Sequence, residues 1–208
     1  IAGRIPYIYT TVYEGGERTP GVIAIGETPH TQSRPAIHWM SVVKKAARWY
    51  LIGSDYVWPW LSHQSMKNYV IESGGQVVGE EFVPVGEDDY GAQLSRIRRA
   101  RPDVVLVSLI GADSIAFNRQ FAEQGLASKM LRLASAFDET VLLGIGSDKT
   151  DNLFCTSGYF SRANSSDTEA FVARYETAFG ASAAPAGSVG QSNYEGLRFL
   201  EEAARHAG

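Results

Sequence analysis

Ser54, Asp55 and His63 lie close enough in the sequence to raise nucleophilic catalysis first. A serine nucleophile needs a histidine base that is itself oriented by a third group. Ser54-Asp55 continue a turn begun at Gly53, and His63 falls inside a helical pattern. Turn formation and helix packing therefore account for all three. The sequence has no G-x-S-x-G elbow, Walker loop, H-E-x-x-H or C-x-x-C. Gly144-Ile145-Gly146 opens a dinucleotide-like pattern, but Lys149 stands at the third glycine position. That stretch also falls at a helix end, whereas the fingerprint belongs between a strand and a helix. His30, His38, His63 and His206 show no metal-ligand spacing with carboxylates or with the single cysteine. No cofactor, no metal and no enzymatic activity is expected, which leaves binding as the class to pursue.

Binding chemistry concentrates in Arg48–Gln64, RWYLIGSDYVWPWLSHQ. Trp49 to Ile52 is an apolar run of the kind buried parallel strands show. Gly53-Ser54-Asp55 turns the chain, and Tyr56, Trp58 and Trp60 cluster around Pro59 before a helical pattern starts near Leu61. Open α/β sheets place ligands beyond the carboxyl ends of their strands. Aromatic rings at that point suit a wall for a small organic molecule.

The elements that must position these residues alternate regularly. A strand at 49–52 precedes a helix at 61–73, which stops at Gly74-Gly75. Further strand and helix pairs are expected at 76–83 with 89–100, at 103–109 with 112–124, and at 130–135 with 138–146. A strand at 152–158 follows. This rhythm predicts a doubly wound parallel sheet, Rossmann-like, with helices on both faces. Earlier strand-like runs span Ile5–Thr11 and Gly21–Gly26, with a helix at 32–47; later helices are expected at 168–179 and 191–204. The expected organisation is 1–30 as part of a second lobe, 31–185 as an intact α/β lobe, and 186–208 returning to the second lobe. The opening directly into a strand, without an initiator Met or signal-like stretch, reads as a fragment with upstream strands missing.

Composition fits that reading. The 208 residues are 44% hydrophobic and 20% charged, which is ordinary for a globular protein. A net charge of −4 argues against a nucleic-acid partner. The basic run Arg96, Arg98, Arg99 and Arg101 ends a predicted helix, where cations complement the dipole. Cys155, within Leu153-Phe154-Cys155, reads as a packed thiol. Asn164-Ser165-Ser166 matches the glycosylation pattern, a match too common to carry weight.

Three strand ends deliver candidates to one crevice: Tyr56 and Trp58, then Ile110 and Gly111, then Phe137 and Asp138. Asp138 precedes a helix, so it is read equally as an N-cap and as a ligand contact. Tyr9 and Thr11 would reach the crevice only if a second lobe closes over it.

The segments Tyr9-Thr10-Thr11-Val12-Tyr13-Glu14-Gly15, Thr19-Pro20 and Gly53-Ser54-Asp55-Tyr56-Val57-Trp58-Pro59 resemble the bilobed type I periplasmic binding proteins. So do Gly158-Tyr159-Phe160, Phe171 to Tyr175 and Tyr194-Glu195-Gly196. Within the family the likeness is greatest to the branch that binds short-chain amides and urea. The resemblance implies two lobes joined by hinge crossings. Tyr9, Thr11 and Val12 would line the cleft from one lobe, and Tyr56, Trp58, Ile110 and Phe137 from the other. It further implies a small amide, urea or amino-acid-like ligand, an ABC transporter permease as partner and a periplasmic or other extracytoplasmic location. A ligand-sensing regulator of the same fold, cytoplasmic and controlling a protein partner, is the alternative. The amide and urea branch includes the amide receptor controlling aliphatic amidase expression, in which a tyrosine stands where this chain has Trp58 and a threonine near Phe137; both changes make the pocket more aromatic. In the amino-acid branch an acidic side chain receives the ligand ammonium, a role open to Asp138 or Glu139.

Overall fold

The computed structural model describes residues 5–180 and 182–207. Its main body is a five-stranded, wholly parallel sheet. The strands are β3 (Arg48–Ser54), β4 (Gln76–Val83), β5 (Val104–Ser108), β6 (Leu131–Ala134) and β7 (Leu153–Cys155), in spatial order β4-β3-β5-β6-β7. A separate two-stranded parallel sheet pairs β1 (Tyr7–Tyr9) with β2 (Val22–Ala24). The helices are α1 (Ser33–Val43), α2 (Val57–Glu72), α3 (Gly91–Ala100), α4 (Gly111–Glu123), α5 (Glu139–Ile145), α6 (Ser166–Phe179) and α7 (Ser188–Ala207).

Side-chain alternation along the central strands builds two cores. Trp49 and Leu51 of β3, with Val104 and Leu106 of β5, face Ile37 and Met40 of α1 and Met66 and Val70 of α2. Tyr50, Ile52, Val105 and Val107 point the other way, onto Leu94 and Ile97 of α3 and Phe117 and Phe121 of α4. Because both faces are covered, β3 and β5 carry unbroken apolar runs. From β3 the chain winds to β4 on one side, and after β4 it returns past β3 to β5. The direction of winding therefore reverses between β3 and β5.

Helix α2 begins four residues earlier than its pattern predicts. Pro59 is its third residue, where the missing N–H has no helical carbonyl to bond anyway. Strand β3 runs on through Gly53 and Ser54, so the expected turn shrinks to Asp55-Tyr56, and Trp58 and Trp60 belong to the first helical turn. Gly144 lies within α5, where a Cβ would fall 2.4 Å from Cδ1 of Ile115 on α4, so the glycine serves a close helix contact. Its pattern reflects helix packing. Cys155 is exposed on the edge strand β7, which corrects the expectation of a packed thiol.

Helix α7 packs on β1 and β2. Gly196, its one buried residue, would bring a Cβ 2.4 Å from Cγ2 of Thr10. Thr10 Oγ1 also donates to Asn193 Oδ1 at 2.5 Å. Helix α6 contributes nothing to either sheet core; Phe171 stacks on Tyr194 of α7 with centroids 5.1 Å apart.

Candidate functional site

At the carboxyl edge of the five-stranded sheet, where the winding reverses, lies a cleft of about 470 Å³. One side comes from the turns after β3, β5 and β6: Tyr56 and Trp58, Ile110 and Gly111, Ala136 and Asp138. Thr11 and Val12, just after β1, and the start of α7 at Gly187–Gly190 form the facing side. Gln32, on the crossing between β2 and α1, completes the lining with Thr140 and Val141 of α5.

Tyr56 and Trp58 form the aromatic wall, with centroids 6.2 Å apart and planes inclined by 33°. Tyr56 is the extended N-cap residue of α2, and Trp58 lies one turn-position further into the helix, almost fully buried. Burial raises the Tyr56 hydroxyl pKa, with the nearby Tyr9 and Glu14 adding to the effect. Trp60, by contrast, turns away and donates its indole N–H to Asp55 Oδ1 at 2.9 Å. Ala136 adopts a left-handed conformation (φ 52°), which costs an L-residue about 1–2 kcal/mol. This kink directs the following residues to different places. Phe137 goes into the core, 2% exposed, outside the cleft. Asp138 goes into the cleft wall.

Of the eight residues expected from sequence, Thr11, Val12, Tyr56, Trp58, Ile110 and Asp138 therefore share this lining. Tyr9 lines a neighbouring pocket with Tyr7, Tyr13 and Glu14. Phe137 is displaced by the Ala136 turn. Gln32, Thr140 and Gly187–Gly190 were not foreseen. Gly187-Ser188 before a helical run is an N-terminal signal of the usual kind. Nothing local to Gln32 marks it.

Among the described residues Asp138 is the only charged one in the lining, with no Lys or Arg beside it. Its Oδ1 accepts from the backbone N–H of Thr140 at 3.0 Å and from Thr140 Oγ1 at 2.5 Å, capping α5. Its Oδ2 accepts from the backbone N–H of Ser188 at 3.1 Å. Beside the cleft, Glu27 accepts from Gln32 Nε2 and from the backbone N–H of Gly158, tying together two chain crossings. Burial raises the Glu27 pKa, opposed by the Gln32 hydrogen bond.

The residues once considered for catalysis are not assembled. His63 is fully buried, and its Nδ1 lies 3.2 Å from Oε1 of Glu80 rather than against Asp55. The Asp55 carboxylate is engaged by Trp60. Among the described residues no group of three or more His, Cys, Asp or Glu could hold a metal ion, and no helix is long and apolar enough to cross a membrane.

A doubly wound parallel sheet with a ligand-sized cleft at its switch point, faced by a second sheet unit, is a two-part α/β architecture. The chain belongs to the periplasmic binding protein family, whose sequence profile matches residues 2–208. Among solved structures it is similar to an ABC transporter solute-binding protein from Rhodopseudomonas palustris HaA2 in complex with p-hydroxybenzoic acid. That match has a TM-score of 0.84 at 20% identity and covers 94% of this chain and 54% of the other. A second, from Rhodopseudomonas palustris BisB5 with 3,4-dihydroxybenzoic acid, has a TM-score of 0.76 at 25% identity, covering 89% and 50%. The leucine-binding protein of Thermotoga maritima MSB8 gives 0.76 at 21% identity, covering 90% and 53%. The chain thus spans about half the length of these relatives.

Proposed function

We propose that this chain is the ligand-clamping part of a solute receptor that serves an ABC-type importer from the extracytoplasmic side. The solute sits between two lobes, the five-stranded domain and the β1–β2 unit with its helices. Family membership and the importer receptors among its structural relatives support this reading. The observation that carries it is the cleft itself, with Tyr56 and Trp58 on one unit and Thr11, Val12 and the start of α7 on the other. Hinge closure around a ligand, for which periplasmic binding proteins are a stock example, is the expected mechanism.

The solute class that suits this wall is a small planar molecule, an amide, urea derivative or aromatic acid. Two inclined rings offer such a plane face and edge contacts. Urea or a short amide alone leaves most of the cavity to water, whereas a benzoate-sized plane fills more of it. The hydroxybenzoates bound by two of the relatives have that size.

The test is calorimetry on the full-length protein with 4-hydroxybenzoate, acetamide, urea and leucine, using wild type and Trp58→Ala. One or more of these probes should bind wild type, and Trp58→Ala should weaken it at least about tenfold, or roughly 1.4 kcal/mol. A panel in which nothing binds, or an affinity untouched by the substitution, overturns the reading.

A further inference from the structure

We infer that Asp138 is the catch that holds the two units together across the cleft, and that this role limits it to one hydrogen bond with a ligand ammonium. The inference builds on the receptor reading above. One carboxylate caps two helices that belong to different units. Through Oδ1 it caps α5, which follows β6 in the five-stranded domain. Through Oδ2 it binds the first helical N–H of α7, which packs on β1 and β2. Both helix ends present unpaired N–H groups and a positive dipole end, so an anion between them is held from both sides.

Gly187 shows how closely the two sides approach. A Cβ at this position would fall 2.2 Å from Oδ2 and 3.0 Å from Cγ of Asp138. Its backbone needs no unusual φ, so glycine is required here by the contact and not by the turn. Any side chain would wedge the start of α7 away from Asp138.

The same hydrogen bonds determine what the carboxylate has left for a solute. Two donors occupy Oδ1 and one occupies Oδ2, which leaves a single lone-pair site free. An ammonium group carries three donors and is costly to bury without acceptors. One ammonium donor can use that site; a second would have to displace the Ser188 N–H and so release the catch. With the catch closed, Asp138 therefore offers an ammonium solute one hydrogen bond at most.

Hydrogen exchange on the ligand-free, full-length protein tests the catch without any solute. Asp138→Asn keeps an oxygen for Thr140 but can turn its amide N–H₂ toward Ser188; Gly187→Ala attacks the contact from the other side with Asp138 intact. Each should raise exchange at the Ser188 amide at least tenfold while leaving Thr140 unchanged, and the double variant should exceed neither single one. Unchanged exchange at Ser188 in both variants, or equal loss at Thr140 and Ser188, overturns the catch. Titration with 4-hydroxybenzoate and leucine tests the selectivity. Asp138→Asn should weaken any bound probe by a similar factor; loss confined to leucine would make Asp138 an ammonium acceptor and overturn the second half. If wild type binds neither probe, the receptor reading fails while the exchange result still decides the catch.

Discussion

The five-stranded domain and the β1–β2 unit are built from similar residues but hold them very differently. In the first, β3 and β5 are sandwiched between helices on both faces, and Trp49, Leu51, Val105 and Phe121 lose essentially all contact with water. In the second, Tyr7 is 53% exposed, Leu197 is 69% exposed and Gly196 is the one buried residue of α7. A two-stranded sheet is marginal in water without further strands or a covering layer. The contrast teaches that the cleft is unevenly supported: a wall anchored on a buried core and carrying Tyr56 and Trp58 faces a lightly packed partner carrying Thr11 and Val12.

The sharpest way to break the comparison is to truncate matched apolar residues. Phe121→Ala should cost about 3–5 kcal/mol in denaturant unfolding of the chain. Leu197→Ala should change stability by less than about 0.5 kcal/mol; equal losses would dissolve the distinction.

Arg132 sharpens the same contrast from its polar side. It is fully buried without a carboxylate partner. Its guanidinium donates to the Asn118 carbonyl and Oδ1 and to the carbonyls of Lys149 and Asp151, binding α4 to the turn before β7. Burial lowers its pKa to about 10, so it remains charged at neutral pH. Arg132→Met should cost about 3 kcal/mol, because several acceptors lose a charged donor together. A melting temperature within 1–2 °C of wild type, on the order of a negligible change for this size, would refute that role.

The smallest expected effect is pH dependence at the β4 edge. Burial lowers the His63 pKa, and hydrogen bonds from His63 and then Lys67 hold Glu80 at about 2. Both folded-state values lie below the ordinary ones, so the stability they contribute is present at neutral pH. It should begin to fall as pH drops below 6.5, where an unfolded histidine takes up its proton, and continue from 4.5 toward 2 as Glu80 protonates. Thermal melts of wild type and Glu80→Gln across this range check the sign. A wild-type melting temperature that rises on acidification would reverse it.

Much of this was legible beforehand because periodicity and punctuation are local. β4 matches its predicted limits, since Gly74-Gly75 and Pro84 bracket it. The turns bearing Tyr56, Trp58 and Ile110 follow from strand-helix alternation. The displaced members have equally specific reasons. Phe137 left the cleft because Ala136 takes a left-handed turn that no residue type there announces. Trp58 entered a helix because proline is harmless in a first turn. Gln32 and Gly187 belong to the cleft only because chain crossings far apart in sequence pass beside it.

Fold class, the order of elements and the aromatic wall are written in residue patterns a few positions long, because burial and backbone geometry act at that range. Which of two adjacent residues, Phe137 or Asp138, reaches the cleft was left to folding. So was the partnering of one carboxylate with helix ends 50 residues apart, because such contacts depend on how separate units pack in space.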